Sequence, residues 1–310
     1  MGSITLLAVL FLSLSYYGVR GSEVEVSDSD LEKIQKFLDK PFTKTIKIAG
    51  DIFDCVDLGS QPAFDHPLLK NHIADLRALI RSKPTDKKYF GAEGQINIQN
   101  PPVGPGQFSS AQIWIESADL GANFNALQAG WAGSDPKVNC FNLHCSGFVQ
   151  VDRSHPIGGL VEPVSKYGGE QHELALAISL DPKTKDWWLV NWGGLSRDDY
   201  IHYGYWPKEL FPSFQGGADY VAWGGAVHPG KNETSPPMGT GHFDGNFVQT
   251  SYIKEIEVYV DENGNLANPI VSSFAPLAEN SKCFGVQDLG YDDDSLYRFT
   301  FGGPGGICRA

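Results

Sequence analysis

The apolar positions change rhythm three times along the chain. Ile4 to Leu14 is an apolar stretch of 11 residues, too short to cross a bilayer as a helix. After it, Leu31, Ile34, Phe37 and Leu38 follow Ser27-Asp28-Ser29-Asp30, with Glu32 three residues after Ser29. That spacing predicts a capping box on a short amphipathic helix, which Pro41 stops. Between Thr43 and Val56, Ile46 and Ile48 alternate with lysines and predict a strand. Leu69, Ile73, Leu76 and Ile80 recur at spacings of four, three and four between Pro67 and Pro84, which reads as a second helix.

From Tyr89 onward the texture is that of strands and turns. Gln112 to Ile115, Trp187 to Trp192 and Ile253 to Val260 are runs of β-formers bounded by Gly, Asp and Pro. Tyr297, Phe299 and Phe301 alternate with Arg298 and Thr300, which predicts one buried and one wet face. Asn263-Gly264, between Val260 and Ile270, is a hairpin signal. About 220 residues of this kind predict an all-β fold, a large antiparallel sandwich or barrel. No internal repeat or low-complexity segment interrupts it. The expected organisation is a leader over 1–21, a small α/β segment over 22–88 and the β-sandwich over 89–310.

Composition sharpens this picture. A chain of 310 residues with 41% hydrophobic and 20% charged positions can bury a core and is not a disordered chain. Its 35 Gly and 19 Pro agree with short strands joined by turns. Net charge −13 repels phosphate backbones and anionic headgroups, so neither nucleic acid nor a membrane surface is an expected partner.

The apolar stretch ends near Val19-Arg20-Gly21, small or β-branched at −3 and −1 of a cleavage after Gly21. This predicts a secretory signal and a mature protein in the extracellular space (the apoplast) or a vacuole. Asn232-Glu233-Thr234 is the glycosylation sequon. Five cysteines in an oxidising compartment suggest two bridges and one left over. Cys140 and Cys145 are close enough for a local bridge, Cys283 and Cys308 would tie back the C-terminal segment, and Cys55 is the odd one. The eight histidines lack metal-ligand spacing, so no metal or other cofactor is expected.

Several segments together carry a resemblance. Asp54-Cys55-Val56-Asp57 and Gln61-Pro62-Ala63-Phe64-Asp65-His66-Pro67-Leu68-Leu69-Lys70-Asn71-His72 are followed, in order, by Gln128-Ala129-Gly130-Trp131 and by Cys140-Phe141-Asn142-Leu143-His144-Cys145-Ser146-Gly147-Phe148. Next come Tyr167-Gly168-Gly169, Trp187-Trp188-Leu189, Gly204-Tyr205-Trp206-Pro207 and Ala222-Trp223-Gly224-Gly225. Met238-Gly239-Thr240-Gly241-His242-Phe243 and Gly302-Gly303-Pro304-Gly305 complete the series. This chain resembles the neprosin family, plant secreted endopeptidases that cut after proline.

The resemblance implies a sandwich of two antiparallel sheets, a removable N-terminal pro-segment, and bridges Cys140 to Cys145 and Cys283 to Cys308. It also implies glutamic peptidase chemistry, in which two glutamates flank a water. One serves as general base and the other, protonated, supports the tetrahedral intermediate. One family glutamate precedes Ala-Gly-Trp, where this chain has Gln128; the other follows Trp-Gly-Gly, where it has Ala226. The segment between Trp131 and Cys140 is also about ten residues shorter than the family pattern. Fungal glutamic peptidases pair a Gln with a Glu, so Gln128 is compatible with chemistry; a methyl group at Ala226 can neither accept a proton nor orient water.

Substitute bases are His228, two positions after Ala226 and so on the same strand face, and Glu170 and Glu173 beside Tyr167-Gly168-Gly169. Asp292-Asp293-Asp294 reads as a solvated loop. Of the seven tryptophans, Trp131 and Trp223 neighbour the substituted positions and are the expected walls of a substrate cleft. Three functions follow: a secreted monomeric binding protein on a peptidase fold, a working acid endopeptidase with a rearranged site, or a cell-wall glycan binder. The corresponding partners are proline-containing peptides, cell-wall proteins and glycans.

Overall fold

The computed structural model describes residues 42–48, 51–56, 75–118, 124–134, 141–144, 146–192, 200–230, 234–292 and 296–308. The expected signal peptide, the first helix, Cys140, Cys145 and Asn232 lie outside them, as does Asp293-Asp294. The chain divides between His72 and Ile73 into two compact units. In the first, the alternation around Ile46 and Ile48 forms an antiparallel hairpin of β1 (Phe42–Ile48) and β2 (Asp51–Val56), with Ile48 opposite Asp51. Cys55 falls in β2.

The second unit begins with β3 (Leu76–Ser82), β4 (Gly91–Asn97), β5 (Phe108–Glu116), β6 (Ala126–Ser134), β7 (Val149–Gln150) and β8 (Glu173–Leu180). It continues through β9 (Trp187–Trp192), β10 (Tyr200–Trp206), β11 (Tyr220–His228), β12 (Thr234–Ser235) and β13 (Ser251–Tyr259). The last strands are β14 (Leu266–Ala267), β15 (Phe274–Ala278), β16 (Gly285–Asp292), β17 (Leu296–Gly302) and β18 (Gly306–Ile307). Among the described residues one sheet has five strands, in the order β15-β3-β11-β5-β6. A second has nine, in the order β16-β17-β13-β4-β8-β9-β10-β7 with β14 beside β13, and β12 and β18 form a separate pair. All pairings are antiparallel, and the unit is the all-β sandwich expected.

The helical reading is corrected over Leu76 to Ile80, which belong to strand β3; Leu69 and Ile73 lie outside the described residues. Leu76, Ala78 and Ile80 face the core while Leu79 is buried on the opposite face. Leu76 and Ile80 are four positions apart, a spacing that shares one face in a strand as it does in a helix, so the pattern fits both. β3 sits between β15 and β11, so Leu76 to Ser82, within the segment expected over 22–88, pairs with strands of the sandwich.

Between the sheets lie Ile80, Ile113, Ile115 and Trp223 from one side and Ile96, Ile178, Phe299 and Phe301 from the other, all fully buried. Tyr297, Phe299 and Phe301 are inward as expected, but Thr300, expected to be wet, is buried too. The Asn263-Gly264 signal is a turn joining β13 to β14, with the Val260 N–H donating to Asn265 O. Cys283 and Cys308 are bonded, closing a loop of sequence separation 25.

Candidate functional site

Strand alternation decides which residues share the outward face of the five-stranded sheet. Trp223 donates its indole N–H across the sandwich to Glu93 O at 3.1 Å, so the odd positions of β11 face inward. The even positions Ala222, Gly224, Ala226 and His228 face outward. Beside them on β5 lie Trp114, Gln112, Ser110 and Phe108, and beyond those on β6 lie Gln128, Gly130 and Ala132. On the other flank, β3 places Arg81, Leu79 and Arg77 opposite Ala222, Gly224 and Ala226. Leu79, Phe108, Trp114, Ala222 and Ala226 form an apolar cluster on this face.

Gln128 and Ala226 are therefore on one face, with β5 between their strands. Gln128 aligns through Trp114 with Ala222, four positions from Ala226. In a flat sheet that offset is about 13 Å along the strands and about 10 Å across them. The sheet is not flat. Arg77 aligns with Ala226 and Glu116 with Tyr220, six positions apart on β11 and on strands flanking it, yet Arg77 Nη1 is 3.4 Å from Glu116 Oε1. Coiling draws that diagonal together. Gln128 and Ala226 lie on a diagonal of the same sense with a shorter offset. Gln112 sits midway along it and donates its Nε2 hydrogen to Gln128 Oε1 at 3.2 Å.

The centre of this diagonal thus holds two neutral amides and a methyl group. The nearest carboxylate on the face, Glu116, is buried, and both its oxygens are taken: Oε1 faces Arg77, and Oε2 is 2.7 Å from Arg81 Nη2. Arg81 also lies over the Tyr220 ring at 3.9 Å. Arg77 is further held by Glu279, through Nη2 to Oε1 at 3.1 Å and its backbone N–H to Oε2 at 2.8 Å. Gly225 permits β11 to lie close to the second sheet, since a Cβ there would fall 2.8 Å from the Phe301 ring of β17.

His228 is on the same face as Ala226. Its Nδ1 is 2.7 Å from Asp75 Oδ1, and its ring stacks on Phe108 at 5.8 Å. Glu170 and Glu173 are not brought to this site. Glu173 pairs in register with Asn97 on the far face of the nine-stranded sheet, where it accepts from Tyr252 Oη at 2.5 Å and meets Lys254 Nζ at 3.1 Å. Burial, and then the Glu173 carboxylate, raise the Tyr252 hydroxyl well above its ordinary pKa. Glu170, exposed in the preceding turn, lies 3.7 Å from His172. Glu173 is therefore separated from Gln128 by the thickness of the sandwich.

Trp131 and Trp223 are not cleft walls, a second correction. Both point between the sheets, and their indole N–H groups donate to backbone carbonyls of β4, Trp131 to Asn97 O at 2.8 Å and Trp223 to Glu93 O. A residue three positions from another on the same strand points to the opposite face, so Trp131 and Trp223 turn away from Gln128 and Ala226. Gln112, Arg77 and Glu116 were missed because cross-strand neighbours depend on register. The one local signal was a polar Gln112 in the otherwise apolar run to Ile115. Among the described residues no group of three His, Cys, Asp or Glu is placed to hold a metal ion.

A family model described as Neprosin matches residues 133–304. The matched span includes Ala226 and the Trp223-Gly224-Gly225 segment and begins after Gln128.

Proposed function

The chain belongs to the neprosin family, and from that premise we propose that it is a secreted protein that holds polypeptide on a glutamic-peptidase fold without hydrolysing it. The observation that carries this reading is the Gln112–Gln128 amide contact on a diagonal that ends at the methyl group of Ala226. Water attack on an amide needs a general base within hydrogen-bond reach, worth a factor of about 10² to 10⁴. Neither amide is basic, and Glu116 has both oxygens engaged by guanidinium groups. Two facing amides retain the donors and acceptors that suit a peptide backbone. On the same reading residues 1–21 are a signal peptide, Asn232 carries glycan and the N-terminal unit is a pro-segment.

The test is incubation of acid-treated protein with a proline-rich polypeptide from about pH 2 to about pH 7, with mass spectrometry of the products and a parallel binding measurement. Binding without cleavage is expected. Turnover that survives Gln128→Ala would overturn the reading. It would favour a second one, an acid endopeptidase using His228 as base, for which the 2.7 Å contact orienting its ring on Asp75 speaks.

A further inference from the structure

The two large sheets end, among the described residues, on β15 and β6 and on β16 and β7, with the two-residue β14 a further edge beside β13. Open edges invite pairing with foreign strands, and soluble proteins blunt them with proline, charge, bulges or brevity. β15 contains Pro276. β16 carries Asp288 and Asp292 and a register shift between Asp288 and Gly290. β7 has only two residues. β6 has none of these devices: nine residues, Ala-Leu-Gln-Ala-Gly-Trp-Ala-Gly-Ser, without charge, proline or bulge, in unbroken register with β5.

The hydrogen-bond phase of β6 can be read from its start. The Ser117 N–H donates to Asn125 O at 3.0 Å, and hydrogen-bonded pairs alternate along an antiparallel ladder. Ile115–Leu127, Ile113–Ala129 and Ala111–Trp131 are then the bonded pairs. The N–H and C=O groups of Gln128, Gly130 and Ala132 consequently point away from β5, toward the edge. Those three residues also have exposed side-chain positions, whereas Leu127, Ala129 and Trp131 are buried, and the Trp131 indole pins the strand to β4.

We propose that β6 is a docking edge that captures an extended, neutral-to-basic peptide by strand addition, lengthening the five-stranded sheet to six. The inference rests on the peptide-holding reading and names its docking element. What the edge offers is a row of backbone donors and acceptors about 7 Å apart, complementary to another extended backbone and to nothing helical. A chain of net charge −13 favours a neutral or basic occupant over an acidic one. Side chains of the added strand that neighbour Gly130 and Ala132 find only small groups beside them, so the edge accepts bulk at those positions.

Residue-resolved amide exchange on the full chain tests this, with a pool of capped nonapeptides of Ala, Val, Thr, Gln and Lys as probe. Slowed exchange is expected at Gln128, Gly130 and Ala132, whose outward amides become bonded, while the already bonded odd positions change little. Ala132→Pro removes one outward N–H that lies outside the native ladder and should weaken binding of the pool about fivefold, as expected for one lost hydrogen bond. Ala132→Lys, which leaves the backbone intact and blunts the edge, should act in the same direction and covers the case in which the proline variant folds poorly. Protection confined to other parts of the protein would overturn the docking edge and leave peptide holding intact. Absence of binding and protection anywhere would overturn both. Concentration-dependent dimers abolished by either variant would make a second copy the occupant and overturn the peptide.

Discussion

Arg77 stands directly across the β3–β11 ladder from Ala226. A cross-strand pair has its Cβ atoms about 5 Å apart, so Ser110 on one flank and Arg77 on the other stand beside any side chain at position 226, and of the two Arg77 brings the cation. In the present sequence it meets a methyl group and turns instead to Glu279 and Glu116.

This neighbour assigns roles to a restored pair. In the double variant Gln128→Glu with Ala226→Glu, the carboxyl at 226 is held ionised by Arg77 and serves as base. The one at 128, exposed beside the Gln112 amide, is the acid. Cleavage of a proline-containing peptide should appear on the acid side only. Adding Arg77→Gln should move the acidic limb of the pH profile up by about one unit, since losing the cation raises the pKa of the base. A limb that stays in place would show that Arg77 does not face position 226.

Glu116→Gln should lower stability by about 2 kcal/mol, read from the urea midpoint. Removing one partner of a buried ion pair leaves uncompensated charge and typically costs more. The discount reflects Arg77 and Arg81, whose side chains are 37% and 35% exposed. A shift too small to measure would mean that the two arginines find water as easily as they find Glu116.

Trp223→Phe should cost about 2 kcal/mol in unfolding free energy, from the lost indole hydrogen bond to Glu93 O and the lost ring volume. Peptide affinity should be unchanged, because this indole faces the core. An affinity change without a stability change would return Trp223 to the cleft.

Replacing Cys283 and Cys308 together with serine should cost about 3 kcal/mol, from the freedom regained by the open loop of separation 25 in the unfolded chain. Thermal unfolding with and without reductant gives the same comparison on the natural chain. Equal transitions would remove the bridge from the fold's support.

At alkaline pH the buried hydroxyls decide the outcome. Burial and Glu173 hold the Tyr252 proton, and burial and Asp288 that of Tyr297, above the ordinary value of 10.0. The unfolded chain releases these protons first, so their contribution is complete below about pH 10 and declines as pH rises beyond it. Tyr252→Phe should make the stability profile above about pH 10 less steep than in the natural chain. An unaltered slope would place the titrating groups elsewhere.

What the sequence by itself determined is local. Alternation over Tyr297 to Phe301, the β-former runs and the turn at Asn263-Gly264 specify strands, because strand formation answers to a period of two and to turn chemistry within a few residues. Family membership was legible for a similar reason, since ordered motifs survive without knowledge of their contacts. Tertiary structure decided the rest. Leu76 to Ser82 is a strand because it pairs with β11 and β15, partners far away in the chain that no local pattern encodes. Trp131 and Trp223 are core rather than cleft, because the parity of each strand is set by the sheet it packs against. Gln112 lies between Gln128 and Ala226, Arg77 faces Ala226 and β6 ends its sheet, because register, coiling and strand order join residues far apart in the chain. Such neighbours are fixed by the global packing minimum and leave no signature within a window of sequence.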